Sequence, residues 1–564
     1  MLTKKLKYLP SPLPLLAYFQ LSLLVSLAIL ASYASPAHAQ DTLLLRDYHY
    51  VKQQDIWLTT SNPAALTRYQ RQRIAEADIQ LSYQNGGLCN YFEASRALQA
   101  TANIEAIQRI SSRVVVAGAM SYDNYSGRHM TGSAFMHLSP LASCSLPLAS
   151  HLPFDIVEDS LTNPGTKHRD TYHLLGGMGI ELGKGYAVGV RIDYTAANYA
   201  KYKDLRHKNK LMDLQATASV YAPVAKWLNI GAGYTYHRQT ESVTFSTYGN
   251  TDKVYKSLID YGVFSGRIEQ FGEEGFTDKN REMPLFEDSH GADLQIEVLP
   301  MQQLSVMAGI GISAGDGYYG RKSPSTITYT NHSRDVVRAN AAVTYTLPRQ
   351  LHRLAFNYQL DKVKNNRNAY REVSNDQGAY HYEYFGDVRM GNRQWMDADI
   401  SYTAFLGLHH ELPIWQLSLS SHFTERLLIA YQHPFKRKQK LNTTALTLQA
   451  TRNILLSQGV LSATAHIDYQ KGRGEPYTDL VEAVPSDKQL PPPTMEAFLY
   501  REYQYLTAPQ YQLGAAVKYA FIMPKTRLKM HAKISGDYRK ATETYAYSTG
   551  NHHLSTAIAI GCTF

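Results

Sequence analysis

Arg191 and Asp193 sit two apart in YAVGVRIDYTA (186–196) and so put opposite charges on one side of an extended chain. The same parity holds Asp213 in MDLQATASVYA (212–222) and Asp293 and Glu297 in ADLQIEV (292–298). It also holds Arg527, Lys529, His531 and Lys533 in RLKMHAKISGDY (527–538). Charges at this density are costly in a dry interior unless paired, so they line water or are laced into ion pairs. Their chemistry is the steering of ions and polar solutes. The basic run favours an anionic solute, or an acidic stretch of the chain itself.

Sites for bond-making chemistry are weaker. Gly311-Ile312-Ser313-Ala314-Gly315 spells a nucleophile elbow, which needs a strand, a sharp turn and a helix. Here Ser313 ends an alternating strand and is followed by DGYYGRK (316–322), expected to be a loop, so the match is one of letters only. Gly183, Gly185 and Gly189 in GKGYAVG form a hairpin turn and a strand, with no helix N-terminus to receive phosphate. His409-His410 and His552-His553 point to opposite faces of an extended chain, and no HExxH or paired-Cys spacing is present. The chain is expected to be no enzyme and to hold no metal or cofactor.

A period of two positions these residues from end to end. Val188, Val190 and Ile192 oppose Arg191 and Asp193, and Leu513, Ala515 and Val517 oppose Gln512 and Lys518. One face is apolar and the other wet. The strands run roughly 11–15 residues, longer than a soluble sandwich needs. Short turns such as LGKG (182–185), APVAKW (222–227) and FIMPKT (521–526) alternate with long polar loops near 125–168, 245–290, 316–334, 364–390 and 471–508. Short turns at one end and long loops at the other are the rhythm of an outer-membrane barrel. In lipid every backbone polar group must be paired, so a sheet that spans must close on itself. The expected fold is all-β: a transmembrane antiparallel β-barrel of about 14–18 strands with the polar face inward. The stretch near 77–84 is its weakest strand.

Residues 1–39 pattern as a secretory signal peptide: Lys4, Lys5 and Lys7, an apolar run from Leu15 to about Ala31, and Ala37-x-Ala39 before the cut. Loss of those three lysines lowers the formal charge from +9 to +6, too small and too dispersed a surplus for nucleic-acid binding. Among 564 residues there are 42 tyrosines and three cysteines. Tyr suits a strand standing between lipid and water. Cys89 and Cys144 both fall toward the long-loop end, where an oxidising compartment permits a disulfide.

Residues 40–76 do not alternate and contain Asn62-Pro63-Ala64, with Asn62 placed as a helix N-cap and Pro63 as the first helical residue. A signal peptide, a short segment carrying this triplet, and a large barrel over 77–564 together resemble the FadL-like outer-membrane transporter superfamily. The pattern is also similar to uncharacterised outer-membrane barrels of Bacteroidota, some of whose relatives assist secretion. The resemblance implies that residues 40–76 form a hatch in the lumen. It implies a passive channel or transporter for small or hydrophobic solutes in the cell outer membrane. The alternative it leaves is a non-transporting barrel that serves a secretion or surface-assembly system through an envelope partner. The closing stretch STAIAIGCTF sets Ile558, Ile560, Cys562 and Phe564 toward lipid, and its terminal Phe564 resembles the signal recognised by barrel-assembly machinery.

Overall fold

The computed structural model describes residues 46–136, 151–158, 163–249, 253–273, 275–279, 281–374, 380–523, 528–544 and 546–563. Eighteen antiparallel strands close into one barrel, each paired with its chain neighbour in the wall. Closure is made between Arg73–Gly86 and His552–Thr563, in a register that sets Ile79 opposite Ile560 and Leu81 opposite Ile558. All four are exposed apolar side chains on the outer surface. Val190, Ile192, Ile310 and Ile312 continue that surface around the wall. The alternation in the sequence is thus the alternation of lipid-facing and lumen-facing positions.

The wall begins at Arg73, a few residues before the expected 77, and its strands run from 12 to 27 residues. The expected loop at 364–390 is largely strand: Gln350–Ser374 and Tyr380–Leu406 form one hairpin that projects beyond the rim. Likewise Leu304–Gly320 carries Ser313 in mid-strand, and DGYYG belongs to the strand. Above the lipid both faces of a strand meet water, so the apolar period stops while backbone pairing continues.

Much of the buried core lies inside the barrel. Asp155–Glu158, Lys256–Gly262 and Ser265–Gln270, all from the long-loop end, pair into a three-stranded antiparallel sheet. Aromatic rings of Phe135, Phe154, Phe276, Tyr319 and Tyr329 pack between this inner sheet and the wall. Buried ions tie it down: Glu158 pairs with Lys167 at 2.9 Å and with Lys201, and Asp260 pairs with Arg393 at 3.3 Å. The helix Glu496–Thr507 folds in beside it, with Glu502 holding Arg426 through two bonds of 2.8 Å.

Candidate functional site

The lumen is stopped from the short-turn end by residues 46–70. Three short helices make this hatch, each started by a side chain that accepts from the backbone: Asp47 before Tyr48–Gln53, Asp55 before Ile56–Thr59 and Asn62 before Pro63–Arg68. The last is a single stretch of 3-10 helix that ends where Tyr69 returns to an extended backbone.

Asn62-Pro63-Ala64 seats directly on the wall. Asn62 Nδ2 donates to the Val220 carbonyl at 3.1 Å and to Gln295 Oε1 at 3.2 Å, while Ala64 N donates to Asn62 Oδ1 and Ser219 Oγ, both at 3.0 Å. Missing side chains make the recess. A Cβ on Gly189 would lie 2.3 Å from Ala64 N, and one on Gly231 would lie 2.6 Å from Asn62 Nδ2. Trp57, fully buried, donates its indole N–H to Glu297 Oε2 at 2.6 Å, and the same carboxylate accepts from Asn229 and Ser305. Glu297 therefore belongs to the hatch seat and not to open lumen.

Between the hatch and the inner sheet lies a chamber of about 550 Å³. Asp193 accepts from Arg191 at 2.6 Å and meets His173 at 2.7 Å. Asp213 meets His237 at 3.1 Å. Arg334 bridges Glu287 at 3.3 Å and Asp361 at 2.5 Å. Asp193, Glu287 and Asp361 thus each face a guanidinium, and Asp213 faces an imidazole. Asp293 and Arg338 are the exceptions among the described residues: Asp293 accepts only from Gln295, and Arg338 donates only to Gln359. Gln215, Thr217, Thr235, Gln239 and Asn340 complete a wall of neutral donors and acceptors. A site so lined solvates a small polar molecule through many hydrogen bonds. Ser289 Oγ lies 3.5 Å from His237 Nδ1, a long contact on the far side of the ring from Asp213.

Of the expected lumen residues, Arg191, Asp193, Asp213 and Asp293 come together in the chamber. His531, Lys529 and Lys533 lie elsewhere, on the strand that pairs with the closing strand. His531 faces Glu76 of the first wall strand at 3.9 Å, and that carboxylate also holds Lys518 at 3.2 Å. The hatch and the residue that follows it instead bond the acidic turn residue Glu411, through Arg46, a backbone bond from Asp47, and Arg71 at 3.1 Å. Arg527, Cys144 and Phe564, with residues 1–45, lie outside the described residues. Cys89 is buried beside the inner helix, 3.2 Å from Arg501 Nη2, and burial pushes its thiol pKa up. His173, His237, Arg334 and Arg338 went unnamed from sequence, although each shares lumenal parity within its own strand.

A closed transmembrane barrel stopped by a hatch, with a polar chamber behind it, defines the class of this protein: a plugged β-barrel of the outer-membrane type. The chain belongs to a family of unknown function, DUF6850, whose model matches residues 63–564. No curated protein matches it. Solved structures similar to it include the ferric preacinetobactin receptor BauA of Acinetobacter baumannii, at 8% identity and a TM-score of 0.36, covering 87% of this chain and 80% of that one. A FadL homologue of Pseudomonas aeruginosa shares 9% identity at a TM-score of 0.28, with 94% and 96% covered. The monoaromatic hydrocarbon channel TodX shares 7% at 0.29, with 89% and 92% covered. Likeness this slight carries no weight for the cargo of this chain.

Proposed function

We propose that this barrel resides in the cell outer membrane and is a gated passive pathway for a small polar solute. The chamber carries the reading: apart from Asp293 and Arg338 its charged groups face partners, its remaining wall is hydrogen-bonding, and a discrete hatch closes it. This lining suits a polar cargo better than a hydrophobic one. A solute enters among the long loops, is held in the chamber and leaves when the hatch shifts from its glycine-lined seat.

Planar-bilayer recordings and liposome swelling with small neutral sugars and amino acids test it. The native protein should conduct weakly, and Glu297→Ala, which removes the acceptor of Trp57, should conduct several-fold more. Silence of both in either assay overturns the reading.

A second reading has its own support in the buried pairs Arg426–Glu502 and Asp260–Arg393, which fix the inner helix and sheet to the wall. A permanently closed barrel of this kind would act as a scaffold or accessory in secretion or surface assembly. It would show no conductance and would co-purify stably with an envelope protein.

A further inference from the structure

Above the lipid belt the wall carries a different outward surface. On Thr328–Leu347 the outward positions are Tyr345, Val343, Ala341, Ala339 and Val337, and then Asp335, Ser333 and Asn331. At about 3.3 Å per residue, Asn331 stands about 20 Å along the strand beyond Val337. Apolar bands of such barrels are about 25 Å tall and their strands tilt by about 40°. Tyr345 to Val337 therefore spans most of the band, and Asn331 stands outside it, on the side where the headgroups of outer-leaflet lipids project.

A cleft of about 630 Å³ opens there between the loop residues Lys322–Pro324 and the projecting hairpin. Its floor is an amide pair. Asn331 Nδ2 donates to Asn368 Oδ1 at 2.8 Å, and Asn368 Nδ2 donates to the Thr328 carbonyl at 2.8 Å. Asn368 is buried and fixed by these bonds, while exposed Asn331 keeps a carbonyl with no bond among the described residues. Tyr382 and Tyr384 form one wall. The Tyr384 hydroxyl accepts from Thr328 N at 2.8 Å and so retains its own proton to donate. Asp387 stands at the edge, with one oxygen taken by Asn366 at 2.7 Å. Gly386, at a φ of +135° with nothing within 4 Å of its missing side chain, keeps the cleft open.

Between cleft and lipid belt, Lys362 and Lys364 face outward and are exposed. Neither makes an ion pair among the described residues, although Asp335 lies across the register from Lys362. Aromatic faces beside an amide pair and a carboxylate match a saccharide, whose C–H face stacks on a ring while its hydroxyls take both donors and acceptors. Aromatic residues alone would be an ordinary interfacial girdle, but a fixed amide floor and two free ammonium groups are not part of one. The lysines match acid groups carried on the membrane side of such a saccharide.

We propose that this cleft binds the saccharide headgroup of an acidic glycolipid of the outer leaflet, with its acyl chains along the Val337–Val343 face. The commitment to a membrane-borne saccharide rests on the continuity of amides, lysines and apolar belt on one face of neighbouring strands.

Native mass spectrometry of the purified full chain in detergent tests it, with deep-rough lipopolysaccharide, its delipidated saccharide and phosphatidylethanolamine as probes. The native barrel should retain one lipopolysaccharide. Asn331→Ala and the double variant Lys362→Gln/Lys364→Gln should each bind it at least tenfold more weakly, with heat-modifiable migration showing a folded barrel. Asp387→Asn serves if Asn331→Ala fails to fold. The delipidated saccharide should bind at least tenfold more weakly than the glycolipid yet depend on Asn331, and phosphatidylethanolamine should not distinguish the variants. Unchanged glycolipid binding in the variants overturns the site, and equal affinity for the delipidated saccharide overturns its membrane source. Conductance should be the same in all of these proteins, which separates this test from that of the pathway.

Discussion

Trp57 gives its indole N–H to Glu297 across 2.6 Å, joining the hatch to a wall strand 240 residues further along the chain. Both groups are buried, and Glu297 has two other donors in Asn229 and Ser305. The carboxylate is therefore a fixed anchor with one movable partner.

Trp57→Phe should remove that partner while keeping an aromatic ring in place. A lost bond to a buried charged group costs about 1–3 kcal/mol. Faster hydrogen exchange across 48–69, with wall strands unchanged, is the expected outcome. Uniform exchange throughout would mean that hatch and wall open together.

Gly189→Ala should unseat the hatch by contact alone, since the new methyl would lie 2.3 Å from Ala64 N and 2.4 Å from the Pro63 carbonyl carbon. Gly176→Ala, on the same hairpin with nothing within 4 Å, is the matched control. Protease cleavage within the hatch and a rise in conductance should appear for the first variant only.

Removal of one partner of the Arg426–Glu502 pair should free the inner helix. Arg426→Ala leaves a buried carboxylate without its two bonds, a loss of about 3–5 kcal/mol for pairs of this kind. Limited proteolysis should then cut within 496–507. The double variant Arg426→Met/Glu502→Met should resist cleavage better than the single one.

The inner sheet should loosen as pH rises from about 4 to about 6. Burial pushes the Asp260 carboxyl up to about 6 against an ordinary 3.8, with Asp155 adding to the rise and Arg393 opposing it. In that window the folded state holds a proton that the unfolded state has lost, so stability falls with rising pH, by at most about 3 kcal/mol. Above about 6 the loss is complete. Asp260→Asn should flatten the dependence in hydrogen exchange of 256–270.

Disulfide mapping remains a direct measurement for Cys89 and Cys144. Burial of Cys89 beside Arg501 slows any thiol reagent in the folded protein, so labelling should be done after unfolding without reductant.

What the sequence determined by itself is the wall. Alternation over Tyr186–Ala196 or Gln510–Phe521 follows from a lipid outside and water inside, and local periodicity records it. It also placed Asn62 as a cap, because capping involves neighbours only. Only the tertiary structure decided what fills the lumen. The inner sheet comes from segments a hundred residues apart with no two-residue period, and its ion pairs join loops to walls. The recess under Ala64 is made by glycines, whose meaning is an absence that appears only when the hatch lies against them. Parity told which face Arg191, Asp213 and Asp293 occupy. The curvature and register of eighteen strands decided that these meet across one chamber while His531 and Lys533 do not.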